Sequence, residues 1–485
     1  MHALAAVAPL AAVILTLVLG RSSRTAAIAG IAVLVPLIVF VFPTPWPVIG
    51  RAAVEWAPVV TEVILVLAGG ILFAEAGRFT GNQQRITDWV TNSLGTGVVP
   101  VLAIVHGFTP LTESLTGYGV GAALAVPLLL GLGLPGKQAA IVGLLGLCAV
   151  PWGSMGPGTL IASHLSGVDF DALGVTTAIF NVVVFVAVGV TAALLVAAPG
   201  HRAGSVLAAI GSALALSLAV FGANVLIGTA PAGAIGGLTV LALHIGLRAV
   251  RGGRVRMAAS VARAFIPYAI VLCGMLAATA AFALAGSGSG PAGSAGAEPA
   301  GARSAGEGVA QAILTSPALW LFVATGVLLA LHRDALRGAV RSAAGTWLRV
   351  APATVLFVAL GALMGVSGMT EALAGMLARL GAGYPFFLPL FASLIGFITG
   401  SNSGANALGA GAQTDVARAL GLDVPLAIGA HNAAAATAMM ASPARVELAT
   451  SLARVPDERG SVQRLLLLQL GVISLVMGGL SFLLL

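Results

Sequence analysis

The residues best able to do chemistry lie in two stretches apolar enough to sit inside a membrane. The first, Thr109–Gly136 (TPLTESLTGYGVGAALAVPLLLGLGLPG), carries one carboxylate, Glu113. A carboxylate at membrane depth costs on the order of 3 kcal/mol or more, so it normally faces protein or water and often relays protons. Glu113 is therefore the candidate coupling group, against the plainer reading of a solvated helix end. The second stretch, Phe397–Pro425 (FITGSNSGANALGAGAQTDVARALGLDVP), holds Ser401, Asn402 and Asn406, and is followed by His431, Asn432, Thr437 and Ser442. Uncharged polar side chains gathered in one embedded region point to a hydrated site. Gly117, Tyr118, Ser401, Asn402 and Asn406 are the expected ligands of a carboxylate or hydroxyl, through freed amides and side chains. Ser154, Asn432 and Ser442 complete that set, and His431 joins Glu113 as a proton-coupling candidate. His106, alone on an apolar segment, reads as a hydrogen-bonded core histidine. No His, Asp or Cys spacing resembles a metal site, and no cofactor is implied.

Such groups must be positioned by interrupted helices. The two stretches match each other: Thr116, Gly117, Gly121 and Ala122 against Thr399, Gly400, Gly404 and Ala405, then Leu132–Leu134 against Leu420–Leu422. Each is followed by a second breaker, Gly153-Ser-Met-Gly-Pro157 against Met440-Ala-Ser-Pro443. Gly and Pro inside a span free backbone groups that lipid cannot satisfy, so such backbone survives only where it lines a cavity or is buried in protein. Matched broken helices then aim their partly positive N-terminal ends at a common point, which suits a small carboxylate. Packing seams of the GxxxG kind would explain the glycines. They leave the accompanying serines and asparagines unexplained.

The rest of the chain supplies the membrane setting. Of 485 residues, 59% are hydrophobic and 8% charged, with a mean hydropathy of +1.05. Ordinary soluble domains carry roughly 25% charged residues. Repeated apolar stretches of about 18 or more residues fit a hydrocarbon core about 30 Å thick, and they lack the alternation of barrel strands. The fold class expected is all-α and polytopic, with about 12–14 transmembrane helices by the length rule, in two inverted repeats. An N-terminal half over 1–285 and a C-terminal half over 309–485 flank a small, polar linker, 286–308 (GSGSGPAGSAGAEPAGARSAGEG). Met1–Gly20 lacks a basic leader and reads as a first span.

The net charge of +7 comes from basic residues of which 22 of 23 are Arg, spread over short loops. That is the signature of membrane orientation, not of nucleic-acid binding. The loops around Arg248–Arg263 and Arg333–Arg349 are expected on the cytoplasmic side, and counting spans back puts the Arg21/Arg24 and Arg78/Arg85 loops there too. Arg78–Leu94 and Ser367–Leu380 read as interfacial amphipathic helices. Cys148 and Cys273 stand far apart as small core residues.

The same residues resemble the L-lactate permease family along most of the chain. Glu113-Ser-Leu-Thr-Gly-Tyr-Gly119 is similar to that family's Glu-x-x-x-Gly-Phe-Gly signature, and Ala149–Gly156 resembles its following Pro-bearing broken span. Thr399-Gly-Ser-Asn-Ser-Gly-Ala-Asn-Ala-Leu408 resembles Thr-Gly-Ser-Asp-x-x-x-Asn-x-Leu. Ala430–Pro443 resembles its run ending Lys-Met-x-Ser-Pro. The resemblance implies proton-coupled symport of lactate and related 2-hydroxy acids such as glycolate. Two departures stand out: the family's Asp is Asn402 and its Lys is Met439, as if one ion pair had been neutralised. Arg445, two residues beyond Pro443, offers a replacement positive charge, although its position favours an interfacial, snorkelling side chain. The function expected is a secondary transporter of a small monocarboxylate in the plasma membrane. Its partners are the carboxylate, a coupling proton in preference to sodium, and membrane lipid; pairing as a homodimer stays open. The alternative is a transporter of the same architecture for another organic anion, coupled to sodium. An intramembrane enzyme lacks a nucleophile–base pair.

Overall fold

The computed structural model describes residues 2–253, 255–284 and 305–485, and among them every element is a helix. Most of the expected linker, 286–304, lies outside the described residues, as do Arg254 and Arg303. Helices α1 (His2–Val18) and α2 (Ser23–Phe40) pack together ahead of α3 (Trp46–Phe79). With 34 residues, α3 is about 51 Å long at 1.5 Å per residue, far longer than one perpendicular crossing. Gly81 (φ +71°) turns the chain into α4 (Asn82–Leu94). Here Ile86, Trp89, Val90 and Leu94 are buried while Gln84, Arg85 and Asp88 are exposed, as expected of an interfacial helix.

Next comes α5 (Val98–Ala103), which passes through a π-helical turn, Ile104–Phe108, into α6 (Thr109–Thr116). Together these make one span, most of it buried. After a break at 117–119 the chain forms α7 (Val120–Gly131) and α8 (Gly136–Leu145). A distorted 3₁₀ stretch, Leu147–Met155, bent by 51° from α8, leads to α9 (Pro157–Ser166). Long spans α10 (Phe170–Val196), α11 (Arg202–Leu226), α12 (Thr229–Val250) and α13 (Ala259–Leu284) follow.

The remaining helices repeat the earlier order. Short α14 (Ala305–Thr315) meets α15 (Pro317–Leu331), and α16 (Arg333–Val366) again has 34 residues. Gly368 (φ +76°) turns into α17 (Met369–Leu377), and α18 (Tyr384–Thr399) stops at a break before α19 (Asn402–Leu420). Then α20 (Val424–Thr437) ends in a 3₁₀ turn, Ala438–Ala441, ahead of α21 (Pro443–Leu452) and α22 (Arg459–Leu484).

Among the described residues, ten helices are long and apolar enough to cross a membrane, or twelve if each of two bent pairs is one span. Twelve is the lower end of the expected range; α7, α9 and α21, at 12, 10 and 10 residues, are shorter than the roughly 20 a crossing needs. These are half-spans by length; α9 is largely buried, whereas α21 exposes Pro443, Ala444, Glu447, Leu448 and Ser451. Every residue of α20 from Ala427 to Thr437 is buried. The outside is apolar, with Leu207, Leu218, Leu468 and Phe482 exposed, as lipid contact requires.

The Arg-bearing segments expected on one side do lie together. Arg78 donates to Ser342 Oγ at 3.3 Å and Trp89 Nε1 to the Arg256 carbonyl at 3.1 Å, while the Arg248 guanidinium covers Gly95. Arg349 departs from that group. It stands 16 residues along the unbroken α16 from Arg333, about 24 Å at the helical rise, and lines an internal cavity.

Candidate functional site

The first break is built from three consecutive residues with positive φ: Gly117 (+66°), Tyr118 (+58°) and Gly119 (+78°). Such angles are unstrained for glycine but cost an L-residue like Tyr118 on the order of 1–3 kcal/mol, and such strain gathers at functional sites. Restarting the helix at Val120 frees amides, and Glu113 takes two of them. Its Oε1 accepts from Gly119 N–H at 2.9 Å and its Oε2 from Gly121 N–H at 3.0 Å, with the residue 2% exposed. Glu113 thus stands one turn before the break and folds forward over it, instead of facing solvent.

The second interruption, before α9, is held by Ser154 (φ +44°), Met155 (+62°) and Gly156 (+79°). Ser154 packs on the first break: a Cβ on Gly117 would lie 2.6 Å from Ser154 Cβ. In the second half, Gly400 (φ +59°) ends α18, and Ser401 Oγ caps α19 by accepting from Gly404 N–H at 3.2 Å. Ser442, opening α21, lies against Gly400, whose added Cβ would sit 3.5 Å from its side chain.

These interruptions bound one cavity of about 240 Å³, room for about eight waters at their roughly 30 Å³ share of liquid volume. Glu113, Gly117, Tyr118 and Ser154 line it from the first half; Thr399, Gly400, Ser401 and Asn402 line it from the second. Met439 and Arg445 contribute from the segment around the last breaker, and Ser23, Arg349, Thr354 and Phe357 complete the wall. Ser154 Oγ and Tyr118 Oη are buried with no hydrogen-bond partner. Unmet buried hydroxyls are rare, and both belong to residues of this cavity.

Of the residues the sequence singles out, Glu113, Gly117, Tyr118, Ser154, Ser401 and Asn402 meet at the cavity. Asn406 and Asn432 stand behind it in a buried amide network. Asn432 Oδ1 accepts from Asn406 at 2.9 Å and Asn402 at 3.4 Å, while its Nδ2 donates to Thr159 at 2.9 Å and Thr177 at 3.1 Å. Gly158 makes this fit, since a Cβ there would lie 2.5 Å from Asn402 Nδ2. Ser442 is buried and its Oγ has no partner, though it is not among the cavity's lining. His431 is fully buried, its ring 2.5 Å from where a Gly409 Cβ would be, away from the cavity wall. His106 bonds Ser212 Oγ and the Phe185 carbonyl, both at 3.0 Å, a satisfied core histidine as expected.

Arg445 is where the sequence reading needs correction. It does not snorkel to an interface. It lines the cavity, bonds through Nη1 to the Tyr118 carbonyl and faces the Glu113 carboxylate electrostatically. Its signal was local: an Arg in the first turn after a breaker, one turn beyond Ser442. Thr159, two residues past the Gly153–Pro157 breaker, and Thr177, within a plain apolar span, were missed because neither hydroxyl is set apart by type or spacing. Among the described residues no group of three His, Cys, Asp or Glu side chains could hold a metal ion.

The L-lactate permease family model matches residues 2–279 and 306–485. A protein of Haemophilus influenzae described as "Putative L-lactate permease" is 31% identical over 97 residues, which is 20% of this chain and 18% of that protein. The aligned stretch therefore spans less than a fifth of that relative's length.

Proposed function

Because the chain belongs to the L-lactate permease family, we propose that it is a secondary transporter carrying a small monocarboxylate, L-lactate, glycolate or a related 2-hydroxy acid, together with a proton. The carrying observation is that two interrupted helices, far apart in the chain, bound one cavity containing a single carboxylate, Glu113. Two arginines, Arg349 and Arg445, and several neutral donors share the wall with it. Ser154 and Tyr118 offer unpartnered hydroxyls and Asn402 an amide, fitting a solute with one carboxylate and one hydroxyl. The freed amides of Gly119 and Gly121 serve Glu113, so the anion is held by side chains more than by the first helix terminus.

The recurring helix order supports two inverted repeats, divided as 1–285 and 309–485. Helices α3 and α16 correspond in length, yet the end of α3 at Arg78 meets the early part of α16 at Ser342, so they run in opposite directions. Uptake of L-lactate into proteoliposomes under an inward proton gradient tests the assignment. Glu113→Gln should abolish uphill accumulation and spare exchange; unchanged accumulation refutes the role of Glu113.

One observation favours a second reading, sodium coupling. Asn402 O, Asn402 Oδ1 and Asn432 Oδ1 converge within 3.0 Å on Asn406 Nδ2, and Asn406 Oδ1 has no partner. Oxygens beside interrupted helices can coordinate sodium. Replacing sodium by choline during uptake separates the readings, since proton coupling predicts no change.

A further inference from the structure

We propose that Arg445 binds the substrate's carboxylate and leaves Glu113 to do so, so that each bound anion obliges Glu113 to take up one proton. The inference rests on the transport reading above and assigns its charge-selecting residue. Arg445 arrives from α21, in the second half, and reaches across the cavity to the first break, where Nη1 bonds the Tyr118 carbonyl. Only glycine at 119 permits this approach, because a Cβ there would overlap the guanidinium. A guanidinium has five N–H donors in a rigid fork suited to bidentate carboxylates. The structure shows one of them engaged, on a backbone carbonyl, with no direct ion pair to Glu113.

The ionisable residues of the cavity wall are Glu113, Tyr118, Arg349 and Arg445. Glu113 is faced by Arg445 and Tyr118, and no histidine reaches the wall. Without substrate the two formal charges of Glu113 and Arg445 cancel. A second carboxylate that engages Arg445 draws away the one guanidinium facing Glu113 and sets a like charge beside it, which favours a proton on Glu113. The Arg445 guanidinium then rests on the substrate, and a proton drawn from the aqueous mouth neutralises Glu113. One O–H bond forms, no covalent bond breaks, and one anion enters with one proton.

The test uses purified full-length protein with L-lactate as probe, monodispersity serving as the folding control. Lactate binding in weakly buffered solution should draw in about one proton per site, as shared-site electrostatics requires. In counterflow, Arg445→Gln should raise the half-saturation concentration on the order of 100-fold, and Arg445→Lys, which keeps the charge but loses the fork, about 10-fold. Adding Met439→Lys to Arg445→Gln, at a position on the same wall, should restore most of the loss. Folded Arg445 variants with wild-type half-saturation, or lactate binding without proton uptake, would overturn the inference while leaving a working lactate transporter. Should Arg445→Gln fail to fold, the lysine variant alone decides. A wild-type protein that neither binds nor exchanges any short monocarboxylate would remove the transport reading itself.

Discussion

Gly119→Ala perturbs the point where the two halves touch, and its effect divides into two parts. Gly119 sits at φ +78°, where an L-residue costs roughly 1–2 kcal/mol relative to glycine. The added methyl would also displace the Arg445 guanidinium, which lies where the Cβ must go, from the Tyr118 carbonyl. A hydrogen bond to a charged group is worth about 1.5–3 kcal/mol. Gly133 provides the control: its φ is +87° and an added Cβ would meet nothing within 4 Å, so Gly133→Ala carries the backbone strain alone. The contact part should therefore appear as a difference of about 2 kcal/mol between the variants, or roughly 30-fold. Counterflow of radiolabelled L-lactate in proteoliposomes reads it: half-saturation unchanged in Gly133→Ala and raised about 30-fold in Gly119→Ala. Equal half-saturation in both would show that Arg445 does not depend on the bare backbone at 119.

Three further expectations follow from the buried polar groups. Asn432→Ala removes four hydrogen bonds that join α20 to α19, α9 and α10. Hydrogen bonds between membrane helices average about 0.6 kcal/mol, so denaturant titration in micelles should show a loss of about 2 kcal/mol. Ser154→Ala deletes a hydroxyl with no partner. Stability should stay within about 0.5 kcal/mol while lactate half-saturation rises about 5-fold, separating a ligand donor from a structural one. Gly158→Ala should disturb both, because its Cβ would meet Asn402 Nδ2 at 2.5 Å, and a fall in thermal midpoint together with weaker lactate binding would register it.

The helical class, the interrupted stretches and the amphipathic helix at 82–94 were legible because hydropathy and Gly/Pro placement act locally. The crossing count meets the expected range at twelve only if each bent pair is one span, because apolar composition does not distinguish a half-span such as α9 from a full one; length between breakers does. Glu113 was recognisable as a buried carboxylate, but its amide partners, six and eight residues on, depend on three successive positive φ angles. Tyr118, a non-glycine at one of them, gives no such warning. Asn432 finds Thr159 and Thr177 across 273 and 255 residues of chain, and no pattern in a single sequence announces that pairing. Arg445 was misjudged for a related reason: an Arg near a helix start reads as interfacial until the glycine that receives it, 326 positions earlier in the numbering, is placed beside it.

Whether both halves enclose one anion can be measured by thiol protection. In a background lacking Cys148 and Cys273, Ser154→Cys reports from the first half and Ser401→Cys from the second, both among the residues lining the cavity. Saturating L-lactate should slow alkylation at both positions, with the same concentration dependence. Protection at one position alone, or at neither while counterflow persists, would contradict a shared site.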